Sequence, residues 1–247
     1  MGGGALTGWP QGMDAAKPAF QNLVCSLLYF LLVCNMINYW VKTPKWLKRF
    51  FPQSVIWSMP AETQPAVYIT FDDGPHPTAT KFILEQLGKY KAKATFFCIG
   101  KNVVLHPDVY RQILSGGHTV ANHTYDHCNG WHTTPEAYLK NIQKAAEYIE
   151  SHSFRPPYGR IKISEVKKMQ QMNMPWKIYM WDVLSADFDT QITPEKCLDN
   201  VITHIEPGSI VVFHDSDKAW ERMSYALPKV LEYCVQKNWE IKALPVY

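Results

Sequence analysis

Ala66-Val67-Tyr68-Ile69-Thr70-Phe71-Asp72-Asp73-Gly74-Pro75 is the stretch on which the chain turns. β-branched and aromatic residues dominate its first six positions, the composition of a buried strand, and it ends in two adjacent carboxylates and a Gly-Pro pair. That ending has two readings. Asp-Gly-Pro is ordinary turn chemistry, and an Asp before a helix is an ordinary cap; two carboxylates delivered by a strand are also the floor of an active site. Successive strand residues point to opposite faces, so both carboxylates serve one pocket only if the chain turns after Phe71. Gly74-Pro75 is the expected turn.

His123-Thr124-Tyr125-Asp126-His127 decides between the readings, because two imidazoles four residues apart can reach one metal ion from one turn of chain. One Asp and two His, with a further Asp beside them, describe a metal site that carries its own base.

From residue 60 onward, strand-like runs at 66–71, 94–99, 118–121, about 152–156, 177–182, 209–213 and 239–243 alternate with helical periods. The helix at about 136–150 places Leu139, Ile142, Ala146 and Ile149 on one face, and that at 226–237 repeats Leu227, Val230, Leu231, Cys234 and Val235. Alternation of this kind implies parallel pairing with right-handed crossovers. Seven units predict an α/β fold, an incomplete (β/α)7-type barrel. Asp72, His123, Arg155, Asp187 and His214 fall at or just beyond the C-terminal ends of the strands, the catalytic face of a barrel.

Five runs occur in order: Thr70 to Pro75, His123 to His127, Arg155-Pro156-Pro157-Tyr158, Trp181 to Phe188, and Val212-Phe213-His214-Asp215. Together they resemble the motifs of the polysaccharide deacetylases, carbohydrate esterases that include chitin, chitooligosaccharide and peptidoglycan N-deacetylases. The resemblance covers residues 60 to 245. It implies a divalent metal on Asp73, His123 and His127, with Zn²⁺ first and Co²⁺, Ni²⁺ or Fe²⁺ also suited. It further implies Asp72 as general base, Arg155 orienting it, the Tyr158 N–H in the oxyanion site, and His214 as general acid supported by Asp187. The implied reaction is removal of N-acetyl groups from an N-acetylglucosamine glycan. Two departures bear on substrate preference: Phe188 stands where Trp is commoner and Leu184 where Asp is frequent, and Val-Phe precedes His214 in place of a leucine-containing tripeptide. Rival readings are hydrolysis of another amide or ester, such as acetylated xylan or a cyclic ureide, and a catalytically silent carbohydrate-binding protein.

Composition adds limits. A net charge of +3 with no Lys/Arg stripe gives no case for nucleic acid, and the glycan is the expected partner. Six cysteines show no C-x-x-C spacing; Cys98 and Cys234 read as buried thiols, and Cys128 as a neighbour of the metal site. Residues 1–58 are expected to form an N-terminal extension ahead of a catalytic domain at 60–247. Its apolar stretch at 23–41 is a candidate membrane-associated segment, short for a span and followed by Lys42, Lys45, Lys48 and Arg49. The alternatives are an interfacial segment built from Trp40, Trp46, Phe50 and Phe51 with the lysines, or a cytoplasmic protein beginning at Met36.

Overall fold

A computed structural model of the chain describes residues 39–245. Nine strands form its sheet: β1 (Val55–Ile56), β2 (Ala66–Asp72), β3 (Thr95–Cys98), β4 (Thr119–Asn122), β5 (Ser153–Phe154), β6 (Lys177–Tyr179), β7 (Val183–Leu184), β8 (Ile210–His214) and β9 (Glu240–Ile241). Their order is β1-β6-β5-β4-β3-β2-β8-β7, with β9 on β2, and every pairing is parallel. The helices are α1 (Lys45–Lys48), α2 (Ala79–Lys89), α3 (Gly100–Leu105), α4 (Pro107–Ser115), α5 (Pro135–Ala146), α6 (Ile163–Gln170), α7 (Pro194–Ile202) and α8 (Trp220–Gln236). The fold is α/β, a parallel sheet curled into an incomplete barrel.

Strand alternation sorts the core into two layers. Val67, Ile69 and Phe71 of β2 pack outward with Ile83 and Leu87 of α2 and with Met223, Leu227 and Val230 of α8. Ala66 and Tyr68 face inward with Phe97, Ala121, Tyr179, Ile210 and Leu244. The inward row of β2 therefore continues through Thr70 to Asp72, which carries the first carboxylate into the mouth of the barrel.

The strand expected at 177–182 is two strands. β6 lies beside β1 and β5, and β7 lies beside β8, at opposite ends of the strand order, so residues 180–182 cross the gap that leaves the barrel incomplete. Two-residue strands carry too little pattern to be recognised singly. The buried face of α5 is also turned relative to expectation: Tyr138, Ile142 and Ala145 are buried, while Ala146 is exposed. α8 begins at Trp220, earlier than expected, and Val235 is exposed. Cys98 and Cys234 are buried free thiols, as is Cys197.

The compact unit begins at Val41, so residues 41–58, assigned from sequence to the extension, are part of it. β1 pairs with β6, Ser58 bridges Ser209, and Met59 N donates to Gly208 O across the gap. Asp182, 3% exposed, gathers Lys42 Nζ at 2.6 Å, Lys48 Nζ at 2.8 Å and Ser209 Oγ at 2.8 Å. Two of the lysines expected at a membrane interface are thus tied inward, and Phe51 packs on Trp57. Among the described residues no helix is long and apolar enough to cross a membrane; the apolar residues 23–38 and Met36 lie outside them.

Burial alone would raise the Asp182 pKa, but the hydrogen bonds from Lys42, Lys48 and Ser209 hold it below the ordinary carboxylate value. A depressed carboxylate stabilises the fold above its unfolded pKa near 4 and loses that contribution as pH falls through the folded value. Asp182→Asn is therefore expected to lower unfolding free energy by about 1–3 kcal/mol at neutral pH. Denaturant titration should show the deficit shrinking as pH drops below about 4; a pH-independent deficit would contradict the ion-pair account.

Candidate active site

The sheet register sets where the motifs emerge. Asp72 lies level with Phe97 of β3 and His214 of β8, Cys98 with Asn122 of β4, and Asn122 with Phe154 of β5. The residues that follow these strand ends, Asp73, His123 and Arg155, open on one rim.

Arg155 is fully buried and its guanidinium lies 3.9 Å over the Phe97 ring. Nη1 donates to Asp72 Oδ1 and to Thr70 Oγ1, both at 2.7 Å, while Nη2 donates to Met180 O at 3.0 Å and Nε to Tyr179 O at 3.3 Å. Asp72 is fixed through Oδ1, and its Oδ2 takes no hydrogen bond from a described residue.

The turn that brings Asp73 to the same pocket is one residue later than expected. Asp72 is still strand, and Asp73 itself adopts φ 87°, a region costly to non-glycine residues. Asn102 Nδ2 holds the Asp73 carbonyl at 2.7 Å. Asp215 accepts from Gly74 N at 2.7 Å, receives a short bond from the Thr80 hydroxyl, and donates its own N–H to Asp72 O at 3.0 Å. A Cβ on Gly74 would sit 1.9 Å from Asp215 Oδ2, so only glycine fits there. Asp215 stands inside a recognised motif, yet its function as a clamp on the Asp72–Gly74 turn is visible only in three dimensions. Asn102 gave no sequence signal.

His123 and His127 both turn Nε2 toward Asp73, at 3.8 and 3.2 Å from Oδ1. Burial pushes His123 down to about 4, so its ring is neutral at pH 7. Its Nδ1 is 2.8 Å from Arg155 O, an acceptor, which places the proton on Nδ1 and the lone pair on Nε2. Burial would raise the Asp73 pKa, but the imidazoles of His127, His214 and His123 around it hold it well below the carboxylate range. A carboxylate oxygen that is buried without a hydrogen bond thus faces an imidazole lone pair, which is repulsive unless a cation lies between them. One ligand atom from each of Asp73, His123 and His127 lies within 4.8 Å of the others. This donor set fits a divalent cation of the zinc class. Cys128 is not in the set; its N–H bonds Thr124 Oγ1.

The His123–His127 loop is pinned by asparagines. Asn122 Oδ1 accepts from Thr124 N, and Asn141 Oδ1 accepts from Tyr125 and Asp126 N. Asn122 thus orders the backbone between the two imidazoles, its side chain bonded to Thr124 N and Ile142 O. Asn141, on a helix distant in sequence, was not foreseen.

Across the pocket, His214 Nδ1 and N lie 2.7 Å from Asp187 Oδ1 and Oδ2. Burial alone would lower His214, but the Asp187 charge and hydrogen bond outweigh it and raise it to about 10. Arg222 Nε in turn holds the Asp187 carbonyl at 2.7 Å, a support absent from the sequence motifs. Phe188 stands edge-on to His214 at 5.2 Å. Tyr158 has φ 60°, and its exposed ring packs on His127 at 4.6 Å; its N–H donates to no described residue. His76 lies outside the cluster, its Nδ1 accepting from Ala79 N.

The polysaccharide deacetylase family model matches residues 60–176. A peptidoglycan-N-acetylglucosamine deacetylase of Bacillus cereus is 31% identical over 182 residues, 72% of this chain and 84% of that protein. A chitooligosaccharide deacetylase of Azorhizobium caulinodans is 32% identical over 161 residues, 62% of this chain and 75% of that one. A crystal structure of a peptidoglycan N-acetylglucosamine deacetylase matches with a TM-score of 0.73 at 28% identity, covering 81% of this chain and 94% of that chain. A family pseudoenzyme from Bacillus anthracis matches with a TM-score of 0.66 at 21% identity over 79% of this chain and 69% of that chain, a likeness of fold alone. With the parallel incomplete barrel and the five motifs meeting on one rim, these likenesses show that the chain belongs to the polysaccharide deacetylase family of hydrolases.

Proposed function

We propose that the chain hydrolyses the C–N bond of N-acetyl groups on an N-acetylglucosamine-containing glycan, with a divalent cation, Zn²⁺ before Co²⁺, Ni²⁺ or Fe²⁺, held by Asp73, His123 and His127. The observation that carries this reading is the unpartnered Asp73 oxygen facing His123 and His127, with Asp72 and His214 beside the same pocket. When bound, such a cation supplies Lewis acidity and makes water nucleophilic at neutral pH.

The chain's own residues do the rest. Asp72, held through Oδ1 by Arg155, presents Oδ2 to take the proton of the attacking water. The Tyr158 N–H is free to donate to the developing oxyanion. Acetamide hydrolysis must protonate a poor leaving group, the amine, and His214 carries that proton on Nε2 while Asp187 holds Nδ1–H. The half-buried ring of Phe188, edge-on to His214, offers the acyl group an apolar wall, and the exposed ring of Tyr158 offers the glycan an open side.

Three outcomes test this. Chelation should abolish acetate release from N-acetylglucosamine oligomers and Zn²⁺ should restore it, while Asp73→Ala should fail to retain Zn²⁺ in equilibrium dialysis; a variant that binds the ion like wild type would remove the ligand assignment. Asp72→Asn should keep the metal and lose about 10²–10⁴ in kcat, and near-normal turnover would eliminate it as the base. Asp187 holds the His214 proton on to higher pH, so removing that charge lowers the pKa of the acid. In Asp187→Asn the alkaline limb of the kcat/KM profile should therefore move to lower pH, by about one unit or more for a buried pair, and an unmoved limb would break the His214 assignment.

A further inference from the structure

The rim beyond Tyr158 carries a charge for which the proposed chemistry has no use. Arg160 lies two residues past Tyr158, its guanidinium 5.2 Å from the Trp131 ring centre and 5.9 Å from that of Tyr158. Tyr158 packs on His127, so a continuous surface runs from a proposed metal ligand through an exposed ring to the arginine. The fold builds this neighbourhood closely. A Cβ on Gly130 would sit 2.4 Å from Arg160 O, Asn129 Oδ1 accepts from Trp131 N at 3.0 Å, and Lys162 reaches back to Thr133 O.

The guanidinium itself is left unmatched. It is half-buried and makes no hydrogen bond or ion pair with any described residue, whereas Arg155 and Arg222 spend their donors on carbonyl and carboxylate oxygens. Nearby Lys162 is already bonded to Thr133 O, and its carboxylate neighbour Glu165 is fully buried. A permanently charged planar fork resting on an aromatic ring is suited to bidentate recognition of a carboxylate.

We infer that Arg160, seated on Trp131, is a specificity determinant that receives a carboxylate on the sugar neighbouring the one deacetylated. This rests on the deacetylase reading and narrows it: the preferred glycan alternates N-acetylglucosamine with a carboxylate-bearing sugar and is not an uncharged homopolymer.

The test uses the metal-loaded full chain and three matched oligosaccharides. One alternates N-acetylglucosamine with N-acetylmuramic acid bearing a free lactyl carboxylate, one is its methylamide, and one is the neutral N-acetylglucosamine oligomer. Wild type should show about tenfold higher kcat/KM on the free acid than on the methylamide, the lower end of a charge-assisted contact at a wet rim. The acid-to-amide ratio should shrink as salt is raised, collapse toward unity in Arg160→Gln, and lie between in Arg160→Lys, which keeps the charge without the fork. Equal kcat/KM for acid and amide in wild type overturns the inference while leaving the deacetylase reading intact, with no variant needed. Calorimetric binding of the same compounds separates the reverse case: tighter binding of the acid, lost in Arg160→Gln, without acetate release from any substrate would support carboxylate recognition and sink the deacetylase reading.

Discussion

The buried pair of Arg155 and Asp72 is the constraint from which the site is built. A barrel interior is normally closed by apolar side chains, and below this level it is, with Tyr68, Phe97, Ala121, Tyr179 and Ile210 in contact. At the upper layer the chain substitutes a guanidinium whose donors meet Thr70, Asp72, Tyr179 and Met180. Desolvating such a charge is tolerable only when nearly every donor is matched. The matching does more than offset the cost. It locks the end of β2 to the end of β6 through one rigid plane, and the Arg155 carbonyl simultaneously fixes the tautomer of His123.

Backbone strain marks the same rim. Seven non-glycine residues among those described have positive φ, and five of them, Asp73, Thr124, His127, Tyr158 and Ala186, lie in the motif loops. Each such conformation costs on the order of 1–3 kcal/mol and persists only where surrounding bonds overdetermine it. Around Asp73, Thr124 and His127, Asn102, Asn122, Asn141 and Asp215 do so, with side chains bonded to the loop backbone. The pocket is thus held by two tiers: residues aimed inward, and amides and a carboxylate that fasten the loops carrying them.

Much of this was legible in the sequence because it repeats. Period-two and helical patterns exposed the central strands and their alternation with helices, and the motif residues Asp72, Asp73, His123, His127, Arg155, Asp187 and His214 converge as their order implied. What escaped has a common cause. β1 and β7 are too short to show a period, and Asp182 looks like any motif residue until Lys42 and Lys48 arrive from 140 and 134 positions away. Asn102 and Asn141 sit on helices whose sequence says only that they are polar. The turn expected directly after Phe71 comes one residue later because the left-handed conformation falls on Asp73, where Asn102 holds its carbonyl and Asp215 the following Gly74 N–H from outside.

The lacing of residues 41–58 across the gap between β6 and β8 has a consequence for the order of assembly. This segment leaves the ribosome before any strand it pairs with exists, since β6, Asp182 and Ser209 are all synthesised more than a hundred residues later. Contacts of such long sequence separation form slowly, because loop closure must precede their reward. Until they form, the outer edge of β6 is an open parallel edge with unpaired amides, the kind of surface on which nascent chains associate wrongly. The earliest-made part of the folded unit is therefore the part whose native partners are completed last in the chain.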